Sequence, residues 1–219
     1  QLALMEQYPE YKFVQSSACH SDMLLKHYPT LFKRIQKSVA EGKYEPNGGV
    51  WVECDCNITS GESMVRQFLW GQRFTRKHFG YTSNCFWLPD TFGYSAAIPQ
   101  IMKGCAVDYF LTTKIDWNDT NTFPYDTFYW QGIDGTKVFT HFNTTHHYPD
   151  VADVSANING GIKQKTVTDK RMLTFGFGDG GGGPTEEMLE SLRRTNKGLR
   201  GCAKTDIRFA GEFLDKIAK

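Results

Sequence analysis

The feature that most restricts the fold is a short apolar strand placed just after a long capped helix. Residues 60–80, SGESMVRQFLWGQRFTRKHFG, are amphipathic, with Ser60 as start signal and Gly80 as stop. NCFWLPD (84–90) follows almost at once and has the length and apolar run of a strand. The pattern repeats on both sides. YKFVQSSA (11–18) alternates as a strand, and LFKRIQKSVAEGKY (31–44) places Leu31, Phe32, Ile35 and Val39 at helical spacing until Gly42. GGVWVECD (48–55) reads as a short strand. AAIPQIMKGCA (96–106) reads as a helix with Pro99 in its first turn, and VDYFLTTKI (107–115) as a strand.

Beyond residue 115 the rhythm changes. TFYWQGIDGTKVFTHF (127–142) predicts a β-hairpin turning at Asp134-Gly135. Residues 143 to about 169 read as a polar loop. RMLTFGFGDGGGGPTEEMLESLRR (171–194) predicts strand, glycine loop and a helix capped by Thr185, and DIRFAGEFLDKIAK (206–219) a strand and a helix. Strands alternating with helices imply an α/β fold with a mostly parallel sheet. Ligand sites in such sheets lie at the C-terminal strand ends, which places Asp55, Asp90 and Asp179 on one rim.

Composition narrows the function classes. With 25 basic and 24 acidic residues the net charge is +1, and no basic patch points to nucleic acid. No apolar run approaches the ~20 residues of a membrane span. Aromatic residues make up 14%, which suits either a carbohydrate site or a core. The six cysteines are scattered without a CxxC pair and read as buried thiols. N-x-T sequons at Asn57, Asn118 and Asn143 matter only in a secreted chain. The abrupt start at Gln1 reads as a fragment.

Three stretches carry candidate chemistry. CFWLPDTFGYS (85–95) ends an apolar strand on Asp90, among Trp87, Phe92 and Tyr94. Asp90 is either a helix cap or Asx turn, or a carboxylate nucleophile or metal ligand. In FGFGDGGGGPT (175–185) the unbroken glycines admit close approach of a ligand to the backbone, and no Gly-Lys-Ser/Thr makes it a phosphate loop. Asp179 there either satisfies loop amides or acts on a ligand. In GGVWVECDCN (48–57), Trp51, Glu53 and Asp55 point one way if the segment is a strand, and Glu53 or Asp55 could hold a sugar hydroxyl. His146 and His147 are adjacent in the predicted loop, His141 closes a strand, and His20, His27 and His78 lie on or near helices. Without HExxH or H-x-D spacing, they make no complete metal site.

Taken together, WVECDCNITSGESMVRQFLWGQ, FWLPDTFGYSAAIPQIMKGC, DYFLTTKIDWND, FYWQGIDGTKVFTHF and FGFGDGGGGPT resemble the catalytic domain of glycoside hydrolase family 38, the α-mannosidases, most of all the cytosolic and vacuolar branch and its bacterial relatives. The resemblance implies a partial (β/α)7-type barrel with parallel strands and an inserted β-hairpin. It implies zinc-dependent, retaining removal of terminal α-linked mannose. Asp90 matches the nucleophile, which is also a zinc ligand, and Asp179 falls where the acid/base strand ends. Phe92 is similar to the aromatic wall beside the metal, with Tyr94, Trp51 and Asp55 as further substrate contacts. The family's His-x-Asp pair would precede Gln1 and its later histidine would follow Lys219, so the remaining zinc ligands are expected outside this chain. The resemblance implies a mannose-containing oligosaccharide as partner, leaves a homo-oligomer open, and suggests a cytoplasmic or vacuolar location. The alternatives are another metal-assisted carbohydrate enzyme, such as a polysaccharide deacetylase, and a catalytically inactive carbohydrate-binding or scaffold relative.

Overall fold

The alternation of helices and parallel strands is present, but the strands are short and fall into three sheets. The computed structural model describes the backbone of all 219 residues and every side chain except those of Thr145 and His146. Helix α1 (Leu2–Gln7) leads to β1 (Phe13–Gln15), α2 (Ala18–His27), α3 (Pro29–Ala40) and β2 (Tyr44–Pro46). Then come α4 (Gly61–Phe79), β3 (Cys85–Leu88), α5 (Ile98–Gly104), β4 (Tyr109–Thr112) and a 3-10 turn at Lys114–Asp116. The hairpin β5 (Thr127–Gln131) and β6 (Lys137–Phe142) precedes β7 (Thr144–His147), α6 (Val151–Gly161), β8 (Leu173–Phe175), α7 (Glu186–Asn196) and α8 (Ala210–Ile217).

β1 and β2 pair in parallel, as do β7 and β8. The central sheet has the order β3-β4-β6-β5, parallel except for β5, which runs antiparallel to β6 as the hairpin requires. β6 passes into β7 through Asn143 alone, so one backbone serves two sheets. No ladder joins β2 to β3. Side chains bridge that gap: the Ser83 hydroxyl donates to Asn47 Oδ1 at 2.6 Å, the Tyr81 hydroxyl to Glu45 Oε1 at 3.0 Å, and Gln72 Nε2 to the Ser83 carbonyl at 2.7 Å. Glu45 is buried, and burial pushes its carboxyl up to about 7.

Helix α4 forms where the sequence places it. The Ser60 hydroxyl accepts from the Ser63 amide, and Gly80 closes the helix in the left-handed region at φ 64°. Its inner face gives Met64 and Phe68 to a core shared with Phe86, Leu88 and Phe110 of the central sheet and Ile98 and Met102 of α5. Each such side chain contributes about 1.5–3 kcal/mol by burial. A second core of Met5, Tyr8, Tyr11, Ile35, Tyr44 and Leu189 ties the first and seventh helices to β2.

Four expectations are corrected. Residues 48–55 form no strand: Gly48 and Gly49 take φ of 96° and 69°, and the backbone bonds instead to α2 and α4, with Cys19 N–H to the Trp51 carbonyl at 3.0 Å and Trp51 N–H to the Gln67 carbonyl at 2.9 Å. The polar stretch after residue 143 contains β7 and α6, the latter capped by the Asp150 carboxylate accepting from the Asp153 amide at 2.8 Å. His146 and His147 therefore lie on a strand, and the reading of the His146 side chain falls outside the described residues. Residues 206–209 are a loop entering α8, held by the buried Glu45 carboxylate, which accepts from the Ala210 amide at 3.3 Å. Residues 18–27, where the sequence reading draws no element past Ala18 and only sets His20 and His27 on or near helices, form α2.

Candidate active site

Strand β3 ends at Leu88, and the chain turns at Pro89-Asp90. Asp90 is no helix cap: α5 begins only at Ile98, with Ala97 before it and no side-chain cap. Its carboxylate is 63% exposed and takes an ion pair from Lys114 Nζ at 2.9 Å. Lys114 itself is almost wholly enclosed, 6% exposed at the side chain. Its ammonium lies 3.5 Å from the Trp117 ring centroid and 5.3 Å from that of Phe92. Two aromatic faces and a carboxylate thus replace the water that a buried cation gives up. The parallel pairing of Leu88 with Thr112 sets this geometry, because each strand then turns just beyond the same level. Sequence reasoning missed Lys114. Its signal was TTKIDW, a lysine and a tryptophan just past the strand neighbouring the one that carries Asp90.

The other expected residues divide. Phe92 is 75% exposed and faces both the Lys114 ammonium and solvent. Tyr94 braces the turn: its hydroxyl donates to the Thr91 carbonyl at 2.6 Å and bonds Thr112, while its ring meets Phe110 edge-on at 5.0 Å. Burial pushes its phenol well up from the usual range. Trp51, Glu53 and Asp55 do not share a face, since the strand that would align them is absent. Trp51 stacks edge-on against Phe74 of α4 at 6.0 Å. Asp55 closes an Asx turn, its Oδ1 accepting from the amides of Ile58 at 2.8 Å and Asn57 at 2.9 Å, and these bonds hold its carboxyl below the usual range. The segment of Glu53 runs on against the Asp90 turn, where Asn57 Nδ2 donates to the Phe92 carbonyl at 3.4 Å and the Ser95 amide to the Cys56 carbonyl at 3.2 Å. The Ser16 hydroxyl donates to Glu53 Oε1, and the Glu53 amide donates to Ser17 Oγ at 3.1 Å. Burial of its inner side pushes the Glu53 carboxyl up, and the nearby Asp90 charge adds to this.

Asp179 stands on the loop that follows β8. That loop satisfies itself through its backbone: Phe177 N–H donates to the Gly183 carbonyl at 2.9 Å, and the amides of Gly180 and Gly182 both donate to the Phe177 carbonyl at 3.2 Å. A side chain at Gly176 would meet the Gly180 carbonyl oxygen at 2.6 Å, so glycine is required there. The Asp179 carboxylate is exposed and is not what satisfies the loop amides. No hydrogen bond or ion pair links it to Asp90 among the described residues.

The described residues do not by themselves build a zinc site. Asp90 is one hard oxygen donor already paired with a lysine, and no group of three or more His, Cys, Asp or Glu stands together among them. His141 is fully enclosed, its Nε2 accepting from the Met172 amide at 3.4 Å, and burial pushes its imidazole down to about 3. His147 Nδ1 pairs with Asp153 Oδ1 at 2.8 Å, between β7 and α6. The six thiols are unpaired, four of them buried.

Known proteins match this arrangement along its length. The chain is 42% identical to alpha-mannosidase G of Dictyostelium discoideum over 219 residues, 99% of this chain and 20% of that protein. It is 46% identical to alpha-mannosidase 2C1 of Homo sapiens over 203 residues, 88% of this chain and 19% of that protein. The chain thus spans about a fifth of the length of the curated relatives it matches. Among solved structures, an alpha-mannosidase from Enterococcus faecalis V583 shares the fold with a TM-score of 0.76 at 18% identity, over 99% of this chain and 25% of that one. The model of the glycosyl hydrolases family 38 N-terminal domain matches residues 1–219, and the chain belongs to that family.

Proposed function

We propose that this chain carries both catalytic carboxylates of a retaining α-mannosidase that removes terminal α-linked mannose from oligosaccharides. The observation that carries the reading is the exposed Asp90 carboxylate at the C-terminal end of β3, pinned on one oxygen by the enclosed Lys114. The names of the relatives, alpha-mannosidases over this whole span, support the substrate. In this reading the free oxygen of Asp90 attacks the anomeric carbon, and the bond to the leaving oxygen breaks as Asp179 gives that oxygen its proton. Water then attacks the glycosyl-enzyme, its proton passes to Asp179, and the bond to Asp90 breaks. Retention requires the two carboxyl groups about 5–5.5 Å apart in the working enzyme. Phe92 offers its open ring to the sugar, and the second oxygen of Asp55 remains for a hydroxyl. Tyr94 and Trp51 hold the walls of the pocket from behind.

The parallel strands form, in this reading, an arc of a (β/α)7-type barrel. The family resemblance brings in zinc with Asp90 as one ligand. Bound there, the metal would orient the sugar hydroxyls, while Asp90 and Asp179 carry the bond-making and proton steps. No helix among the described residues is long and apolar enough to cross a membrane. Six unpaired thiols suit a reducing cytoplasm, with the vacuole as the other assignment.

The test uses the polypeptide of the full reading frame and a fluorinated mannosyl fluoride that traps the glycosyl-enzyme. Peptide mapping should find the adduct on Asp90, and Asp90→Asn should lower kcat by about a thousandfold or more. An adduct on another residue, or a fully active Asp90→Asn, sinks the assignment.

A further inference from the structure

Glu53 is a carboxylate that the fold holds rigidly on the segment packed beside the Asp90 turn. Its backbone is fixed because residues 16–19 and 48–53 are zipped together: Ala18 N–H donates to the Val50 carbonyl at 3.3 Å, Cys19 N–H to the Trp51 carbonyl at 3.0 Å, and Glu53 N–H to Ser17 Oγ at 3.1 Å. Gly48 permits this contact, since a side chain there would press on the Ser16 backbone at 3.2 Å. Its side chain is fixed because Ser16 occupies Oε1. Oε2 takes no hydrogen bond among the described residues, and Glu53 is exposed. The stretch that follows Glu53 packs against the turn that carries Asp90: Asn57 Nδ2 donates to the Phe92 carbonyl at 3.4 Å, and the Ser95 amide donates to the Cys56 carbonyl at 3.2 Å. A carboxylate with one oxygen anchored by a serine and the other open on this segment is built to accept hydrogen bonds from hydroxyls. The hydroxyls of a pyranose are the donors that would come within its reach.

We propose that Glu53 is a specificity-determining residue that accepts a hydrogen bond from a ring hydroxyl of the sugar bound over Asp90. This rests on the reading of Asp90 as the nucleophile. Asp55, the residue two positions on, has one oxygen consumed by its Asx turn and is the weaker candidate for the same task. Glu53 acts on binding and orientation, while proton transfer to the leaving group stays with the acid/base.

The experiment measures kcat and KM of the full-length protein on 4-nitrophenyl α-mannoside and its 2-, 3-, 4- and 6-deoxy analogues. Wild type is compared with Glu53→Gln, which is isosteric and keeps the Ser16 bond, and with Glu53→Ala. We expect kcat/KM to fall about tenfold or more in both variants, as loss of a charged hydrogen bond implies. For one deoxy analogue the variants and wild type should be equal, because the partner hydroxyl is already gone. Deoxy penalties that are the same in wild type and both variants overturn the proposal. So does a Glu53→Ala variant whose lost turnover is restored by azide, which would make Glu53 the acid/base. A wild-type protein that cleaves no mannoside overturns this proposal together with the reading beneath it, whereas an active wild type with unaltered variants overturns this proposal alone. Equal melting temperatures for wild type and Glu53→Gln separate the effect from misfolding.

Discussion

Asp90 and Lys114 illustrate how a single side-chain contact sets the chemistry of a rim. The lysine is enclosed by Trp117 and Phe92, so it cannot swing away into water, and the carboxylate it grips keeps one oxygen free. Lys114→Met should preserve packing volume while releasing Asp90. A hydrogen bond between charged groups contributes about 1.5–3 kcal/mol, so kcat should fall by roughly ten- to a hundredfold. Steady-state kinetics on an aryl mannoside check this, with unchanged kcat as the adverse result. Two buried groups predict opposite pH responses. His141 is held neutral down to about 3, so below its unfolded value of 6.5 only the unfolded chain takes the proton, and stability falls as pH drops from 6.5 toward 3. Glu45 is held protonated up to about 7, so above its unfolded value of 4.5 only the unfolded chain ionises, and stability falls as pH rises from 4.5 toward 7. The two slopes, each up to about 1.4 kcal/mol per pH unit, oppose one another between 4.5 and 6.5. Urea denaturation across this range should show a plateau, with the acid fall lost in His141→Gln and the neutral fall lost in Glu45→Gln.

At the scale of elements, α4 is the keystone, and its contact with residues 48–51 depends on one missing side chain. A Cβ at Gly71 would lie 2.4 Å from the Val50 carbonyl carbon, and backbone on both sides leaves little room to give. Gly71→Ala should therefore destabilise the chain by about 1–3 kcal/mol, the usual penalty of overpacking, although alanine is the better helix former. Ser60→Ala removes only a cap and should cost about 1 kcal/mol. Chemical denaturation of both variants tests the ranking, and a Gly71→Ala protein as stable as wild type would show that the segment can slide. The same helix shows what was legible in the sequence. Its periodicity, serine cap and glycine stop lie within twenty-one contiguous residues, and the hairpin turn at Asp134-Gly135 and the Thr185 cap of α7 are each equally local. Residues 48–55 were misread because alternation of Val50, Val52 and Cys54 mimics a strand, whereas the two left-handed glycines before them forbid one.

At the scale of the whole molecule, the ladder that would join β2 to β3 is replaced by the buried network of Glu45, Asn47, Ser83, Tyr81 and Gln72. With no group of three or more His, Cys, Asp or Glu among the described residues, the isolated chain should bind zinc weakly, because affinity comes from a complete ligand set. Titration of the isolated 219-residue chain against a chromophoric chelator should show no tight site, and stoichiometric binding would reveal ligands beyond Asp90. The sequence by itself determined the α/β class, the long helix and the strand it feeds, the hairpin, and the position of Asp90 and Asp179 after strands. Each of those rests on interactions between residues close along the chain. Only the tertiary structure decided that Lys114 grips Asp90, that Glu53 is anchored by Ser16 while Trp51 packs on Phe74 and Asp55 closes a turn, and that the sheets part at β2. Those outcomes depend on side chains brought together from distant segments, where desolvation and hydrogen-bond geometry choose among partners that local pattern leaves equivalent.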